Sequence, residues 1–363
     1  MSYYNRSQLL IILVISILGV SVTQSTNPTP CPCTNATLCE PLNIGPRKEF
    51  LGFSVSAVNW DNYDMSILTT IVKFGDDPIP EMMCEAHASG VRVTNGVDYP
   101  ANQLTNETYK ADWIAEQISS VQASFYDGIN IDFESQIPKT DPFMAALLTA
   151  LVTDVTLAFK NINQGYQISM DVPAAPFCYS NRCFNYNALG QALDLMVIMD
   201  YDMNGNGIAG ANSDLPGVIS GAGEYLSIDV PAEKLVMAFP WYGYNYHCNG
   251  DISLDTRDCL YDPSQRWNSS MIFDMCYNQI MTLFDSTTNG GVQWDEVTQT
   301  PFFNFVGNDT IVRQMWFDNA KSTYAKVASA KSLGVGGVGV WYLDCVDIAT
   351  QSDMWQSIQS FFN

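Results

Sequence analysis

Short apolar runs alternate with longer amphipathic stretches along most of this 363-residue chain. The runs FLGFSVSA (50–57), TTIVKFG (69–75), GVRVTN (90–95), GINIDF (128–133), YQISMDV (166–172), LDLMVIMDY (193–201), KLVMAFP (234–240) and GVGGVGVWYL (334–343) have the length and composition of strands. FMAALLTALVTDVTLAFKNI (143–162), STYAKVASAKSLG (322–334) and DMWQSIQSFF (353–362) carry helical spacing. A strand–helix rhythm repeated about eight times predicts an α/β fold of the (β/α)8, or TIM-barrel, type. An open doubly wound sheet is the alternative, but no glycine-rich phosphate turn follows the first strand. Residues 245–314 break the rhythm and are predicted to form a long irregular insertion after the seventh strand, within the same domain.

One strand departs from the apolar pattern. In DGINIDFES (127–135), Asn130, Asp132 and Glu134 alternate with Ile129, Ile131 and Phe133. Successive side chains on a strand point to opposite faces. The outer face of a parallel barrel packs on helices, so the polar row faces the lumen, and Glu134 emerges at the C-terminal mouth where barrel enzymes hold their active sites. Neighbouring carboxylates in so poorly solvated a place resist ionising together. A carboxylic acid kept protonated there can deliver a proton to a leaving oxygen. Spacing alone leaves a second reading open, a buried acidic pair that ties strands together.

The N-terminus changes the picture of where the chain works. Arg6 precedes the apolar run LLIILVISILGVSV (9–22) and then a small, polar TQSTNPTP, the pattern of a signal peptide cleaved between Ser21 and Asn27. Residues 1–24 are therefore assigned to the leader and 25–363 to one catalytic barrel domain. A signal anchor is the alternative, although the run is short for a membrane span. No other segment reads as a span, and the expected mature protein is a monomer free of the membrane. Ten cysteines, three of them in CPCTNATLC (31–39), suit disulfides in an oxidising compartment. Cys178 with Cys183 and Cys248 with Cys259 are near enough to close small loops. A zinc knuckle would need a fourth ligand from only two histidines, His87 and His247, so no metal and no cofactor are expected. Asn-X-Ser/Thr sequons at Asn35, Asn106, Asn268 and Asn308 suit a glycoprotein. With 38 acidic against 16 basic residues and a net charge of -22, nucleic acid is excluded as a partner. The same acidity suits a lysosome or acidic vacuole, with secretion as the alternative.

The motif DGINIDFE resembles the fourth-strand signature of glycoside hydrolase family 18, the chitinase family, whose pattern is Asp-X-X-Asp-X-Asp-X-Glu. Asp127, Asp132 and Glu134 match it, while Asn130 stands where most members carry aspartate. That asparagine, with CPCTNATLC, LTTIVKFG, CEAHASGVRV, LVMAFPWYGYNYHC and VRQMWFDNAKS, resembles the branch of di-N-acetylchitobiases, and the likeness runs from about Cys31 to the C-terminus.

The resemblance implies hydrolysis of β-1,4-linked N-acetylglucosamine in chitobiose cores or chitooligosaccharides, with the substrate's own acetamido group as nucleophile and release of the reducing-end sugar. It implies Glu134 as general acid and then base, and Asp132 as the group that orients the acetamide and stabilises the oxazolinium ion. It implies Tyr201 as a hydrogen-bond donor to the acetamido oxygen, with Asp202 beside it and Trp341 as the apolar floor under the cleaved sugar. Asp127 and Asn130 complete the motif and are placed, with Asp202, among the substrate-binding residues. Trp241 and Tyr242 are candidate cleft walls, and Asp171 a candidate substrate ligand. Each has a structural reading: Tyr201 and Asp202 end a strand, Trp341 packs the barrel, and Asp171 braces it. His87 and His247 are read as packing or surface residues. Asn130 is expected to hydrogen-bond Asp132 without adding charge. An endo-acting chitinase and a non-catalytic sugar-binding lectin remain alternatives; Glu134 argues against the lectin.

Overall fold

The computed structural model describes residues 29–363, except 57, 76, 251, 266–270 and 309. The predicted leader and the sequon at Asn268 lie outside the described residues. Cys31 to Asn363 pack as one compact unit.

The first seven barrel strands are β1 (Glu49–Ser54), β2 (Thr70–Lys73), β3 (Arg92–Val97), β4 (Gly128–Ile131), β5 (Gln167–Pro173), β6 (Leu195–Met199) and β7 (Leu235–Pro240). Helices α1 (Pro80–Ala88), α2 (Glu107–Ser124), α3 (Pro142–Ile162), α4 (Tyr186–Ala192) and α5 (Leu215–Ser227) connect β2 through β7 in turn. The link from β1 to β2 carries only a short 3-10 turn at Trp60–Asn62 among its described residues. Five further strands follow: β8 (Tyr242–His247), β9 (Ile272–Cys276), β10 (Gln293–Asp295), β11 (Thr300–Val306) and β12 (Val312–Trp316), with α6 (Tyr277–Ser286) after β9. Then α7 (Ala320–Leu333) leads to β13 (Gly337–Trp341), and α8 (Ser352–Gln359) closes the chain. β13 pairs in parallel with both β7 and β1, closing an eight-stranded barrel. Every one of the eight predicted strands is present.

Two layers of core follow from the period-2 alternation of the strands. Leu51 and Phe53, Leu195 and Val197, and Val236 and Ala238 form one cluster with Val72, inside the barrel. The residues between them, such as Phe50, Met196, Ile198, Met237 and Phe239, join the larger cluster under the helices. The 21-residue α3 is long and apolar enough to cross a membrane, contrary to the expectation that no segment after the leader is. It is a barrel helix, laying Leu148, Leu151, Val152, Val155 and Phe159 onto the strands, with Asp141 capping its N-terminus at Met144 N.

Among its described residues the insertion is a regular sheet, not an irregular stretch. It forms an antiparallel sheet in the order β10-β11-β12-β8-β9 from Tyr242 to Trp316. Phe302 stacks on Trp316 at 4.5 Å, and the Arg257 guanidinium lies over both rings. Its Phe303, Phe305 and Met315 join the main core, which ties the insertion to the barrel. All ten cysteines are paired, as Cys31–Cys39, Cys33–Cys84, Cys178–Cys183, Cys248–Cys259 and Cys276–Cys345. The two predicted small loops are among them, and the thiols of the CPCTNATLC cluster are consumed by disulfides.

Candidate active site

Gly128 opens β4 at φ +139°, where a Cβ would stand 2.0 Å from the Gln167 carbonyl oxygen, so only glycine lets β4 and β5 approach this closely. In the resulting register Asn130 lies beside Ser169 and Ile131 beside Met170. Ile129, Ile131 and Phe133 are buried on the outer side, with Phe133 packed edge-on to Phe184. Asn130 is fully buried inside, and its Nδ2 donates to Ser169 Oγ and to Asp171 Oδ1, each at 3.0 Å. The amide thus serves β5 and Asp171. The hydrogen bond expected from it to Asp132 is not the one it makes.

Asp132 follows the last ladder residue of β4, and its amide donates to the Val97 carbonyl at 2.8 Å, which keeps the chain in line with β3. Burial pushes its carboxyl up to about 7, with the charges of Glu134 and Asp98 adding to the effect and the Arg182 guanidinium opposing it. Asp171 is raised well above the usual carboxylate range, first by burial and then by Asp132, against the Asn130 hydrogen bond. Two inward carboxyls therefore share a space that resists two negative charges. Glu134 stands farther out, half-exposed, with its carboxylate paired to Arg182.

Tyr201 lies two residues beyond β6. Burial, followed by the charges of Asp171, Asp132, Asp202 and Glu134, holds its hydroxyl well above its ordinary range, so it stays a hydrogen-bond donor. Its ring lies 6.2 Å from that of Trp341, the last residue of β13. Trp341 in turn meets Phe53 at 5.1 Å and Phe74 at 5.6 Å. Tyr201 and Trp341 thus cover the inner core of the barrel and present an aromatic face beside the acids. The peptide bond from Trp341 to Tyr342 is cis. Asp202, in the left-handed region at φ 57°, accepts hydrogen bonds from the Tyr242 and Tyr244 hydroxyls at 2.6 and 2.7 Å. Its amide donates to Asn212 Oδ1 at 2.7 Å.

Three assignments need correction: Asn130, wholly buried against Ser169 and Asp171, does not reach substrate, and two more residues lie away from the cleft. Asp127 precedes β4 and sits at the opposite end of the barrel, wholly buried. It accepts from the Leu42 and Val93 amides, both at 2.7 Å, and lies 2.8 Å from His87 Nε2. Its role is to close the barrel bottom, not to meet substrate. Trp241 is likewise fully buried, its ring 4.9 Å from Trp355 and 6.4 Å from Phe50 on the helix side. It is no cleft wall; its amide donates to the Trp341 carbonyl at 2.7 Å and so braces the residue that faces the cleft.

Sequence reasoning missed Arg182, Asp98 and Tyr244. Asp98 directly follows β3, a strand end that barrel geometry alone makes suspect. Tyr244 stands two residues from Tyr242 on the same strand face, a period-2 signal that was open to use. Nothing local marked Arg182, whose partner lies 48 residues away. A cavity of about 650 Å³ at the barrel bottom is lined by Arg47, Lys48, Lys160 and Lys234 among others. Those cations are spent on main-chain carbonyls, such as Lys48 on Val335 and Lys234 on Gly190.

Comparison with known proteins gives the family. Residues 98–345 match the family model for glycosyl hydrolases family 18. The chain is 41% identical to "Probable di-N-acetylchitobiase 1" of Dictyostelium discoideum, over 97% of this chain and 98% of that protein. It is 32% identical to the di-N-acetylchitobiase of Mus musculus, over 91% of this chain and 93% of that one. A Group IV chitinase structure from Ostrinia furnacalis superposes with a TM-score of 0.71, covering 87% of this chain and 98% of its own at 17% identity, which speaks for the fold. With its closed barrel, its fourth-strand acids and a family match across most of its length, the chain belongs to glycosyl hydrolases family 18 and is a glycosidase.

Proposed function

We propose that this glycosidase hydrolyses β-1,4-linked N-acetylglucosamine in chitobiose cores or chitooligosaccharides and releases the reducing-end sugar. The observation that carries the reading is the convergence of Asp132, Glu134 and Tyr201 beside the Trp341 ring at the barrel mouth. Relatives named di-N-acetylchitobiase, matched over nearly their whole length, support the substrate class.

The chemistry follows from the positions. A pyranose ring lies on Trp341, with its acetamido group turned towards Asp132 and the Tyr201 hydroxyl. Glu134 gives its proton to the glycosidic oxygen as the bond from that oxygen to the anomeric carbon breaks. The acetamido carbonyl oxygen attacks the same carbon and forms an oxazolinium ion. Asp132, half-buried and next to Glu134, faces the acetamido nitrogen and, as the carboxylate, balances the charge that develops there. Glu134, now a carboxylate, takes a proton from water, which opens the oxazolinium ring and restores the acetamide with retained configuration. Because the substrate supplies the nucleophile, no second enzymic carboxylate has to bond to the sugar. Five disulfides suit an oxidising compartment reached by the secretory route.

The test is a time course on chitotriose labelled at its reducing end, with Glu134→Gln as control. Single labelled sugars are expected first, and a control slower by roughly 10²–10⁴-fold. Labelled disaccharide as the first product would turn the reading to an endo-acting chitinase. A control as fast as the native enzyme would remove Glu134 from the mechanism.

A further inference from the structure

Arg182 lies outside the chemistry described so far, yet it is built into the mouth. It belongs to the loop closed by the Cys178–Cys183 disulfide, in which Cys178, Ser180 and Asn181 all take positive φ, at 59°, 53° and 59°. That loop is zipped to the segment that follows β4. Cys183 N donates to the Ile137 carbonyl at 2.9 Å, Ile137 and Arg182 form an isolated parallel bridge, and Asn181 Nδ2 donates to Gln136 Oε1 at 3.4 Å. The Tyr186 hydroxyl donates to the Arg182 carbonyl at 2.5 Å. From this anchored backbone the guanidinium reaches Glu134 at two points. Nε donates to the Glu134 carbonyl at 3.0 Å, and Nη2 donates to Glu134 Oε2. The Arg182 side chain is only 14% exposed, while that of Glu134 is 54% exposed.

Those figures define a firm cation gripping a loose acid. A half-exposed glutamate beyond the end of its strand samples several rotamers, and fixing one costs entropy. A proton donor must nonetheless stand within hydrogen-bond reach of the leaving oxygen. The guanidinium fork selects one geometry because it binds main chain and carboxylate together. Its hydrogen bond is also stronger to the charged carboxylate than to the neutral acid. The charged form is the one left when the proton has moved to the glycosidic oxygen, so the grip tightens as the reaction proceeds.

We propose that Arg182 is a positioning residue of this glycosidase, holding the Glu134 carboxyl at the mouth and stabilising the carboxylate left after proton delivery. The proposal rests on the reading of Glu134 as the acid. The Arg182 charge acts on Glu134, Asp132, Tyr186 and Tyr225, and Asp132 itself also faces Glu134, Asp98, Asp171 and Tyr201.

The experiment compares native enzyme, Arg182→Met, Arg182→Lys and Glu134→Gln as secreted full-length proteins on chitotriose from pH 4 to 9, with a melting curve for each. Arg182→Met is expected to lower kcat by roughly tenfold to a hundredfold, the worth of one charge-assisted hydrogen bond, while KM changes by less than about threefold. Arg182→Lys restores charge but not the two-point grip and is expected to recover part of kcat. Loss of the guanidinium also removes the cation that opposes the rise in Asp132, so the limb of the pH profile near 7 moves upward in Arg182→Met and less in Arg182→Lys. Unchanged kcat and an unmoved limb in Arg182→Met, with Glu134→Gln inactive, overturn the proposal and leave the reading of the site intact. Equal losses in both arginine variants, with lowered melting points and an unmoved limb, reduce Arg182 to loop packing and also overturn it. An active Glu134→Gln overturns both readings together. If Arg182→Met does not fold, Arg182→Lys decides alone, since full activity with a native pH profile there refutes the two-point grip.

Discussion

Replacing Asp132 with asparagine should make the protein more stable while it destroys activity. The carboxyl titrates near 7 in the folded protein against about 3.9 in an unfolded chain, because burial and the neighbouring acids disfavour its charge. Between those two values the native state holds a proton that the unfolded state has lost. Stability therefore falls as pH rises through this window and is regained as pH drops. About three pH units at 1.36 kcal/mol each give a penalty of about 4 kcal/mol above pH 7, shrinking to under about 1 kcal/mol near pH 4. Asp132→Asn removes the titration and keeps the shape. For a chain of this size, about 4 kcal/mol corresponds to roughly 6 °C in melting temperature. Relief of Asp171, whose carboxyl is raised in part by Asp132, acts in the same direction. The assay is paired thermal or denaturant unfolding of native and variant protein at pH 4, 6 and 8. A gain that grows with pH is expected. A variant no more stable than the native protein at pH 8, or one whose difference is the same at every pH, would refute the electrostatic account of Asp132.

Four further outcomes follow from the same structure. Lys326 and Asp318 form an ion pair with no side-chain exposure, so Lys326→Met should cost about 3–5 kcal/mol by leaving a bare carboxylate; Lys326→Met with Asp318→Asn should recover most of it in denaturant titrations, and an equally weak double variant would contradict the charge argument. Gly128→Ala should destabilise by at least about 3 kcal/mol, since its Cβ collides with the Gln167 carbonyl and its φ is one that side chains avoid, a loss visible in melting curves. For His87, burial opposes the charged ring, but Asp127 and the Leu38 carbonyl outweigh it and raise its pKa. Its stabilisation is complete below about 6.5 and lost as pH rises through the higher folded value, so His87→Gln should flatten the decline in stability above pH 6.5. Asn130→Asp would replace the amide that donates to Asp171 with a third acid, and the limb of the pH–rate profile near 7 should move upward; superimposable curves would deny Asn130 an electrostatic role.

The eight barrel strands, α3, α7, α8 and the inward row of β4 were legible in the chain because each depends on local periodicity. A strand buried on both faces shows as an apolar run, and polar residues at every second place must share one side. The antiparallel insertion was not legible. Its β8 pairs with β9 and with β12, partners separated by long loops, and short alternating strands such as β12 carry little signal until they meet. The motif as a string could not separate Asp127 from Asp132, although five residues of extended chain carry them to opposite ends of the barrel. Trp241 and Tyr242 are adjacent in sequence, yet the tryptophan turns into the helix layer while the tyrosine hydroxyl reaches Asp202. The sequence by itself determined the barrel and which side chains of β4 point inward, since both follow from the pattern of burial along single segments. Only the tertiary structure decided that Arg182 grips Glu134 and that Asn130 serves Asp171 rather than Asp132, because those contacts join segments that only the closed barrel brings within hydrogen-bonding distance.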